Sequence, residues 1–311
     1  MTIPDSVTYI GSSALSYCYN LTSISIPDSV TSIGDRAFEG CYNLTSISIS
    51  NSVTSMGNSV FEGCSSLESI TIPSSVTSIG DSVFRHCFHL TSVNIPNSVT
   101  RIGNYAFEGC EYLTSITIPQ SVTSIGEGVF AWCSNINKMK VDTNNPVYYS
   151  EKNCIIETST KTLIAGCTGS IPSGVTSIAN YAFVGCNLRN ITIPEGVTSI
   201  GSFAFSYCEN IKNITISSSV TSIGEGAFMD CERNFNTINV DINNSNYYSE
   251  QNCIIEKSTK KFYIRYALVI HKTLRQLGGH ESNILSNQND FINFLSAKSG
   301  IDTNNIASEL N

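Results

Sequence analysis

Apolar and polar positions recur along this chain in a 23-residue cycle. From Leu21 to Asn43, Leu21, Ile24 and Ile26 alternate with Ser23 and Ser25, Val30 and Ile33 follow, and Ala37, Phe38 and Cys41 close the unit. Nearly the same residues restart at Leu44, Leu67, Leu90 and Leu113. The alternation predicts a short strand with one buried face. Pro27 ends it, and Gly34 marks a turn. Asp35, with Asn58, Asp81, Asn104, Asn180 and Ser202 in the equivalent places, reads as a helix N-cap. The stretch from Ala37 to Cys41 is therefore expected to form one turn of helix or 3₁₀-helix.

A single unit of this size leaves its apolar side chains wet, so copies must stack. Stacking lines up a leucine column and a phenylalanine column, Phe38, Phe61, Phe84, Phe107, Phe130, Phe183, Phe205 and Phe228. A period between about 20 and 29 residues that opens on Leu or Ile predicts a leucine-rich repeat. The expected fold is thus mainly β, a right-handed leucine-rich repeat solenoid with one short helical or 3₁₀ turn per repeat.

Two long units interrupt the cycle. Their shared VD, NN, YYSE, NCIIE and STK motifs lie 99 residues apart, as Cys154 and Cys253 do. Each reads as a turn at Asn144, Asn145 and Pro146 or its equivalent, then a hairpin with strands at Cys154–Ile156 and Thr162–Ala165, expected to protrude from one edge. The expected organisation is a solenoid over residues 1–266, with long repeats near 136–170 and 235–266. Residues 267–311 form a C-terminal helical cap or tail, because Tyr266, Ile270, Leu274 and Leu277 recur at helical spacing and Asn283 to Ser299 is a second candidate helix. The basic residues Lys257, Lys260, Lys261, Arg265, Lys272 and Arg275 at this junction read as a solvated face.

Charged residues make up only 14 % of the chain and the net charge is −8, which argues against a nucleic-acid groove. No run of 18 apolar residues exists to span a membrane. The first residues already match the repeat, with no signal-peptide pattern, which leaves a protein inside its cell, export by another route, or a fragment starting in mid-repeat.

The twelve cysteines invite a redox or metal reading. Nine of them, Cys18, Cys41, Cys64, Cys87, Cys110, Cys133, Cys186, Cys208 and Cys231, hold one phase of the repeat. That phase predicts buried free thiols, with disulfides between rungs the alternative. His86, Cys87 and His89 cluster in sequence, but an inward Cys87 cannot share a metal with outward histidines. Asp142, Asn144 and Glu151, with Asp241, Asn243 and Glu250, do not follow the EF-hand spacing and read as turn formers. No cofactor or metal is expected. The chain lacks GxSxG, HExxH and a phosphate-binding Gly-Lys-Ser/Thr loop, so an enzyme is not expected either.

The positions that fail to repeat flank each cysteine: Glu39-Gly40 and Tyr42-Asn43 become Arg85-His86 and Phe88-His89, then Ala131-Trp132. His86, Phe88, His89, Tyr112 and Trp132 fall on neighbouring rungs and form a candidate partner-binding patch. The alternative is edge packing over the inner columns. The Ser/Thr-rich strand face, with Thr22, Ser23 and Ser25 recurring, is a second candidate surface, for glycans or protein edges, or merely a solvated one. Sequons at Asn20, Asn43, Asn190 and Asn213 matter only in a eukaryotic secretory route.

LTSITIPQSVTSIGEGVFAWC, with IP after the strand, VTSIG in the middle and AFxxC or VFxxC at the end, resembles the BspA-like leucine-rich repeat proteins. Asn144, Asn145, Pro146, Tyr148, Leu163 and Ile164 are similar to that family's longer module, although the second long unit has Ser245 in place of Pro146. The resemblance covers residues 1 to 266. It implies a surface or secreted recognition and adhesion module that binds host matrix or cell-surface proteins; a monomer is expected, with a glycan as a further possible ligand. It carries no catalytic or binding residues over. The alternative is an intracellular protein–protein scaffold, which the abundant thiols support.

Overall fold

A computed structural model describes residues 2–231, 236–250, 252–261 and 263. The chain winds into stacked β coils, and each regular coil has three sides. The first is a longer strand, Ser23–Ile26 in one rung and Ser46–Ile49 in the next, paired parallel with Ser23 opposite Ser46 and Ile26 opposite Ile49. Ile24 and Ile26 point inward and Ser23 and Ser25 outward, as the alternation requires. The second side is a two-residue strand, Ser32–Ile33, parallel to Tyr9–Ile10 and Ser55–Met56. Its ladder is doubled by threonines: the Thr31 hydroxyl donates to Thr8 O and the Thr54 hydroxyl to Thr31 O, each at 3.3 Å.

The third side corrects an expectation. No helix occurs among the described residues, and the stretch from Asp35 to Gly40 is a run of turns. Arg36 and Gly40 both adopt positive φ, 57° and 67°, and this pair of left-handed residues recurs at Ser82 and His86 and at Tyr105 and Gly109. A left-handed residue every fourth position interrupts the right-handed turn, so a helix cannot propagate. The backbone bonds are shared instead. Arg36, Phe38 and Gly40 donate to Asn58, Val60 and Glu62 of the following rung, while Glu39 and Cys41 donate within their own turn to Arg36 and Phe38.

The expected N-cap residues are corrected with it. Asp35 Oδ1 accepts the N–H of Asn58 at 2.7 Å, Asn58 Oδ1 that of Asp81 at 2.8 Å, and Asn104 Oδ1 that of Glu127 at 2.9 Å. Each side chain thus caps the next rung and none starts a helix.

Inside, the phenylalanines stack. Neighbouring centroids in the series Phe38, Phe61, Phe84, Phe107 and Phe130 lie 5.3 to 5.7 Å apart. Phe183, Phe205 and Phe228 repeat the arrangement at 4.9 and 5.3 Å.

The first long unit does not protrude. Its strands Tyr148–Glu151, Cys154–Glu157 and Thr162–Gly166 form an antiparallel meander, and the last pairs parallel with the short strand Ser177–Ile178. Ile155 and Ala165 enter the core of the preceding rungs, whereas Cys154, Ile156 and Leu163 enter the core of the following ones. The unit is a wall between two cores. That accounts for the unbroken apolar run Cys154-Ile155-Ile156, since a strand covered on both faces has no polar side.

Equivalent asparagines, Asn244 buried and Asn145 partly so, fasten both long units to the rungs before them. Asn244 donates to Ser217 O and Val220 O at 2.9 and 3.0 Å and accepts from the N–H groups of Asn246 and Tyr247 at 2.9 and 2.8 Å. Asn145 makes the same four bonds, to Pro119 O, Val122 O and the N–H groups of Val147 and Tyr148. The hydroxyls of Tyr148 and Tyr247 then accept from Ile125 and Ile223 at 3.1 and 3.0 Å, closing the ends of the short-strand ladders. Asp142 and Asp241 form turns with Asn144 and Asn243, as their sequence context suggested. The expected C-terminal helices, and the boundary at residue 266, lie outside the described residues.

Candidate functional site

The ladder cysteines are chemically quiet. Cys64, Cys87, Cys110 and Cys133 are buried free thiols, and each donates to the carbonyl of the phenylalanine on the preceding rung at 3.1 to 3.2 Å. Cys186 continues the ladder across the long unit by donating to Gly166 O at 3.3 Å. Burial pushes these thiols up, Cys133 to about 12, so they stay protonated and poorly nucleophilic at neutral pH.

The three residues of the possible metal cluster diverge. Cys87 points inward to Phe61 O. His89 Nδ1 lies 2.8 Å from Ser65 O. A carbonyl can only accept, so Nδ1 carries the hydrogen and repeats what Asn43 Nδ2 does toward Tyr19 O at 2.6 Å. The His86 ring folds across the next rung, where a Cβ on Gly109 would stand 2.6 Å from Nδ1. Among the described residues no three His, Cys, Asp or Glu side chains converge to hold a metal.

The fold of His86 over Gly109 is one case of a rule. Tyr17 lies over Gly40, Tyr105 over Gly128, Trp132 over Gly185 and Phe203 over Gly226, with the missing Cβ 2.5 to 2.7 Å from the ring in each pair. These five aromatic residues at left-handed positions each have a glycine beneath them on the following rung, whereas Tyr181 stacks on Phe203 instead, at 5.5 Å. Edge packing therefore fixes the rings of His86 and Trp132.

Two consecutive glycines break the rule and open a groove. Gly40 and Gly63 form its floor, and a Cβ on Gly63 would meet nothing nearer than 3.6 Å. Tyr17 closes one end and His86 the other, around a volume of about 330 Å³. One wall carries Glu39 and Glu62. Tyr42, Ser65 and Phe88 complete the lining, with Tyr42 46 % and Phe88 36 % exposed. Tyr42 stacks on Tyr19 at 5.5 Å and Phe88 tilts against His86 at 5.5 Å, so both rings are held from behind.

On the acidic wall, Tyr17 Oη donates to Glu39 Oε1 at 3.2 Å, a bond that raises the phenol's pKa. Arg85 lies between Glu62 and Glu108, 3.3 Å from the first and 2.7 Å from the second. His86 Nδ1 is buried without a hydrogen-bond partner among the described residues.

The structure thus brings together part of the patch expected from sequence. His86 and Phe88 share the groove, and His89 stacks on Tyr112 at 5.1 Å just outside it. Trp132 is apart, 4.6 Å from Tyr207, with its N–H bonded to Val184 O across the wall unit. Tyr17, Tyr42, Glu39 and Glu62 were not singled out as site residues from the sequence. The signal available was the repeated Glu-Gly before the cysteine at 39–40 and again at 62–63, which removes two side chains in a row from one column.

Comparison with known proteins agrees with this architecture. The chain is 21 % identical to the pneumococcal vaccine antigen PcpA, covering 78 % of this chain and 72 % of that one, with a TM-score of 0.64. It is 30 % identical to a leucine-rich repeat protein from Eubacterium ventriosum, covering 77 % of this chain and 59 % of that one, with a TM-score of 0.54. A leucine-rich cell surface protein from Faecalibacterium prausnitzii is 29 % identical over 77 % of this chain and 87 % of its own, with a TM-score of 0.49. No curated protein matches the chain. The profile of the BspA type leucine rich repeat region matches residues 1–113, 61–168 and 167–272, in six copies. With the repeat, the stacked coils and the inward columns all accounted for, the chain belongs to the BspA-type leucine-rich repeat family.

Proposed function

We propose that this chain is a non-catalytic recognition and adhesion module, displayed at a cell surface or secreted, that holds a protein ligand against the rim of its turn-run side. The observation that carries the reading is the contrast between repeating and non-repeating residues. Repeating side chains bond internally: threonines to threonine carbonyls, Asx residues to the next rung, thiols to phenylalanine carbonyls. The residues that vary leave rings in solvent at Tyr42, Phe88 and Tyr112, the last 52 % exposed. Exposed rings held rigid by neighbours lose little entropy on binding, which suits contact with a protein. His86, Phe88, His89 and Tyr112 line or flank this surface, and Trp132 offers a separate exposed ring beyond the groove. The surface location follows from the family resemblance. Among the described residues no helix is long and apolar enough to cross a membrane.

An intracellular scaffold is the second reading, favoured by the row of free thiols in a chain without disulfides along its ladder. Two measurements separate the readings. Antibody labelling of intact source cells detects the protein if it is displayed, and finding it only in the cytosol overturns the adhesin. Binding of the purified chain to an immobilised panel of matrix proteins should fall at least tenfold in the Tyr42→Ser/Phe88→Ser variant. Unchanged binding by a folded variant removes the rim as the site.

A further inference from the structure

The acidic wall of the groove has an internal precedent for what it could hold. Glu39, Glu62, Arg85 and Glu108 occupy one column, one rung apart. In that column the Arg85 guanidinium lies between two carboxylates, Nε 2.7 Å from Glu108 Oε2 and Nη1 3.3 Å from Glu62 Oε1. Glu39 and Glu62 stand on adjacent rungs, so in the column carboxylate follows carboxylate directly. Glu62 shares Arg85 with Glu108, and Glu39 accepts from the Tyr17 hydroxyl, so two carboxylates about one 4.8 Å rung apart keep acceptor capacity for a further cation. Arg36 reaches Glu39 only at 3.9 Å and is itself 64 % exposed, so it leaves that capacity open to an incoming group.

The remaining lining fits the same ligand. Neither lysine nor arginine lines the groove, its floor is bare backbone at Gly40 and Gly63, and the Tyr42 and Phe88 rings line it together with the carboxylates. A planar cation is favoured between a carboxylate pair and an aromatic face, because it forms directional N–H···O bonds in its plane and stacks across it. The net charge of −8 adds long-range attraction for a basic partner.

We propose that the groove between Tyr17 and His86 receives an arginine side chain of the protein partner, its guanidinium paired with the carboxylates of Glu39 and Glu62. This rests on the protein-recognition reading and names the anchor residue on the partner.

The test uses the full chain, labelled with ¹⁵N, and the acetylated peptide Gly-Arg-Gly-Arg-Gly as probe, beside the same peptide with citrulline in place of arginine. Citrulline keeps the shape and removes the charge. The arginine peptide should shift the Gly40 and Gly63 amide resonances and bind at least tenfold more tightly than the citrulline peptide. The Glu39→Gln/Glu62→Gln variant should lose that preference while its other resonances stay in place. Equal shifts from both peptides, arginine-dependent shifts that survive the double variant, or shifts confined to other rungs overturn the proposal. So does cellopentaose moving the same two glycines when the arginine peptide does not, since the groove is then a carbohydrate site. If the arginine peptide leaves Gly40 and Gly63 unmoved while Tyr42→Ser/Phe88→Ser still weakens matrix-protein binding, the arginine anchor falls and the recognition module stands.

Discussion

The thiol of Cys64 donates to the backbone carbonyl of Phe38, 3.2 Å away and 26 residues earlier in the chain. The same carbonyl accepts the N–H of Cys41 in its own rung. One oxygen therefore serves two rungs, and the cysteine is the side chain that reaches it from the second. A residue type that suggests redox chemistry has become part of the packing.

This ladder, together with Cys154 in the wall unit, makes the fold sensitive to alkali. Burial raises the Cys133 and Cys154 thiols to about 12, whereas thiols in an unfolded chain ionise near about 8.5. The folded state keeps these protons while the unfolded state sheds them. Stability is thus intact below about pH 8.5 and falls as pH rises toward 12, by about 1.4 kcal/mol per pH unit for each such thiol. Urea unfolding at pH 7.5, 9 and 10 should show the decline, with a shallower slope for Cys133→Ala. A flat profile would mean that the thiols are not buried as described.

Thiol reactivity gives an independent reading of the same ladder. In the native protein at pH 8, a disulfide-exchange reagent should find Cys18 and Cys167, which are partly exposed, far faster than Cys64, Cys87 or Cys110. The buried thiols should appear on denaturation. Peptide mapping of the labelled sites decides the outcome.

The two floor glycines differ in a way that mutation can read. Gly40 and Gly63 both have positive φ, so an alanine at either costs about 1–2 kcal/mol in backbone strain. At Gly40 the new Cβ also meets the Tyr17 ring at 2.5 Å, whereas at Gly63 the nearest atom is 3.6 Å away. Gly40→Ala should therefore be the more destabilising and should displace Tyr17, measured by urea midpoint and by the Tyr17 ring resonances. Equal costs would contradict the ring-over-glycine rule.

Asn244 is fully buried and makes four backbone bonds. Asn244→Ala strands two acceptors and two donors and should cost about 3 kcal/mol. Native-state hydrogen exchange should show the amides of Tyr247 and Ile223 losing protection first. Asn43, exposed and bonded once to Tyr19 O, should tolerate alanine within about 0.5 kcal/mol.

How much of this was readable in advance depended on whether a residue's role repeats. Phe38, Leu44 and Cys64 return in phase, and a side chain that returns in phase in a stacked fold has to point inward, so the columns and the quiet thiols were legible. Asp35 was misread because an Asx before an apolar turn has two possible donors to accept from, its own next turn or the neighbouring rung, and sequence spacing does not separate them. The left-handed pair at Arg36 and Gly40 was hidden because only one of its two positions carries glycine. The long unit was misplaced at an edge because insertion length says nothing about direction, although the doubly apolar Ile155-Ile156 pointed to a strand covered on both faces. Of the site, the variable rings were visible, while the groove emerged from Gly40 and Gly63, residues conspicuous only for the side chains they lack.

Phe84 and Phe88 lie four positions apart on one rung, the first fully buried in the stacked column and the second on the rim of the groove. Repeating residues are proposed to build the solenoid and non-repeating ones to recognise its partner. Measuring urea stability and matrix-protein binding for Phe84→Ala and Phe88→Ser side by side tests that separation most directly. Phe84→Ala should lose about 3–5 kcal/mol of stability. Phe88→Ser should stay within about 0.5 kcal/mol of the parent and weaken binding several-fold. A Phe88→Ser protein that unfolds with Phe84→Ala, or that binds as the parent does, would contradict it.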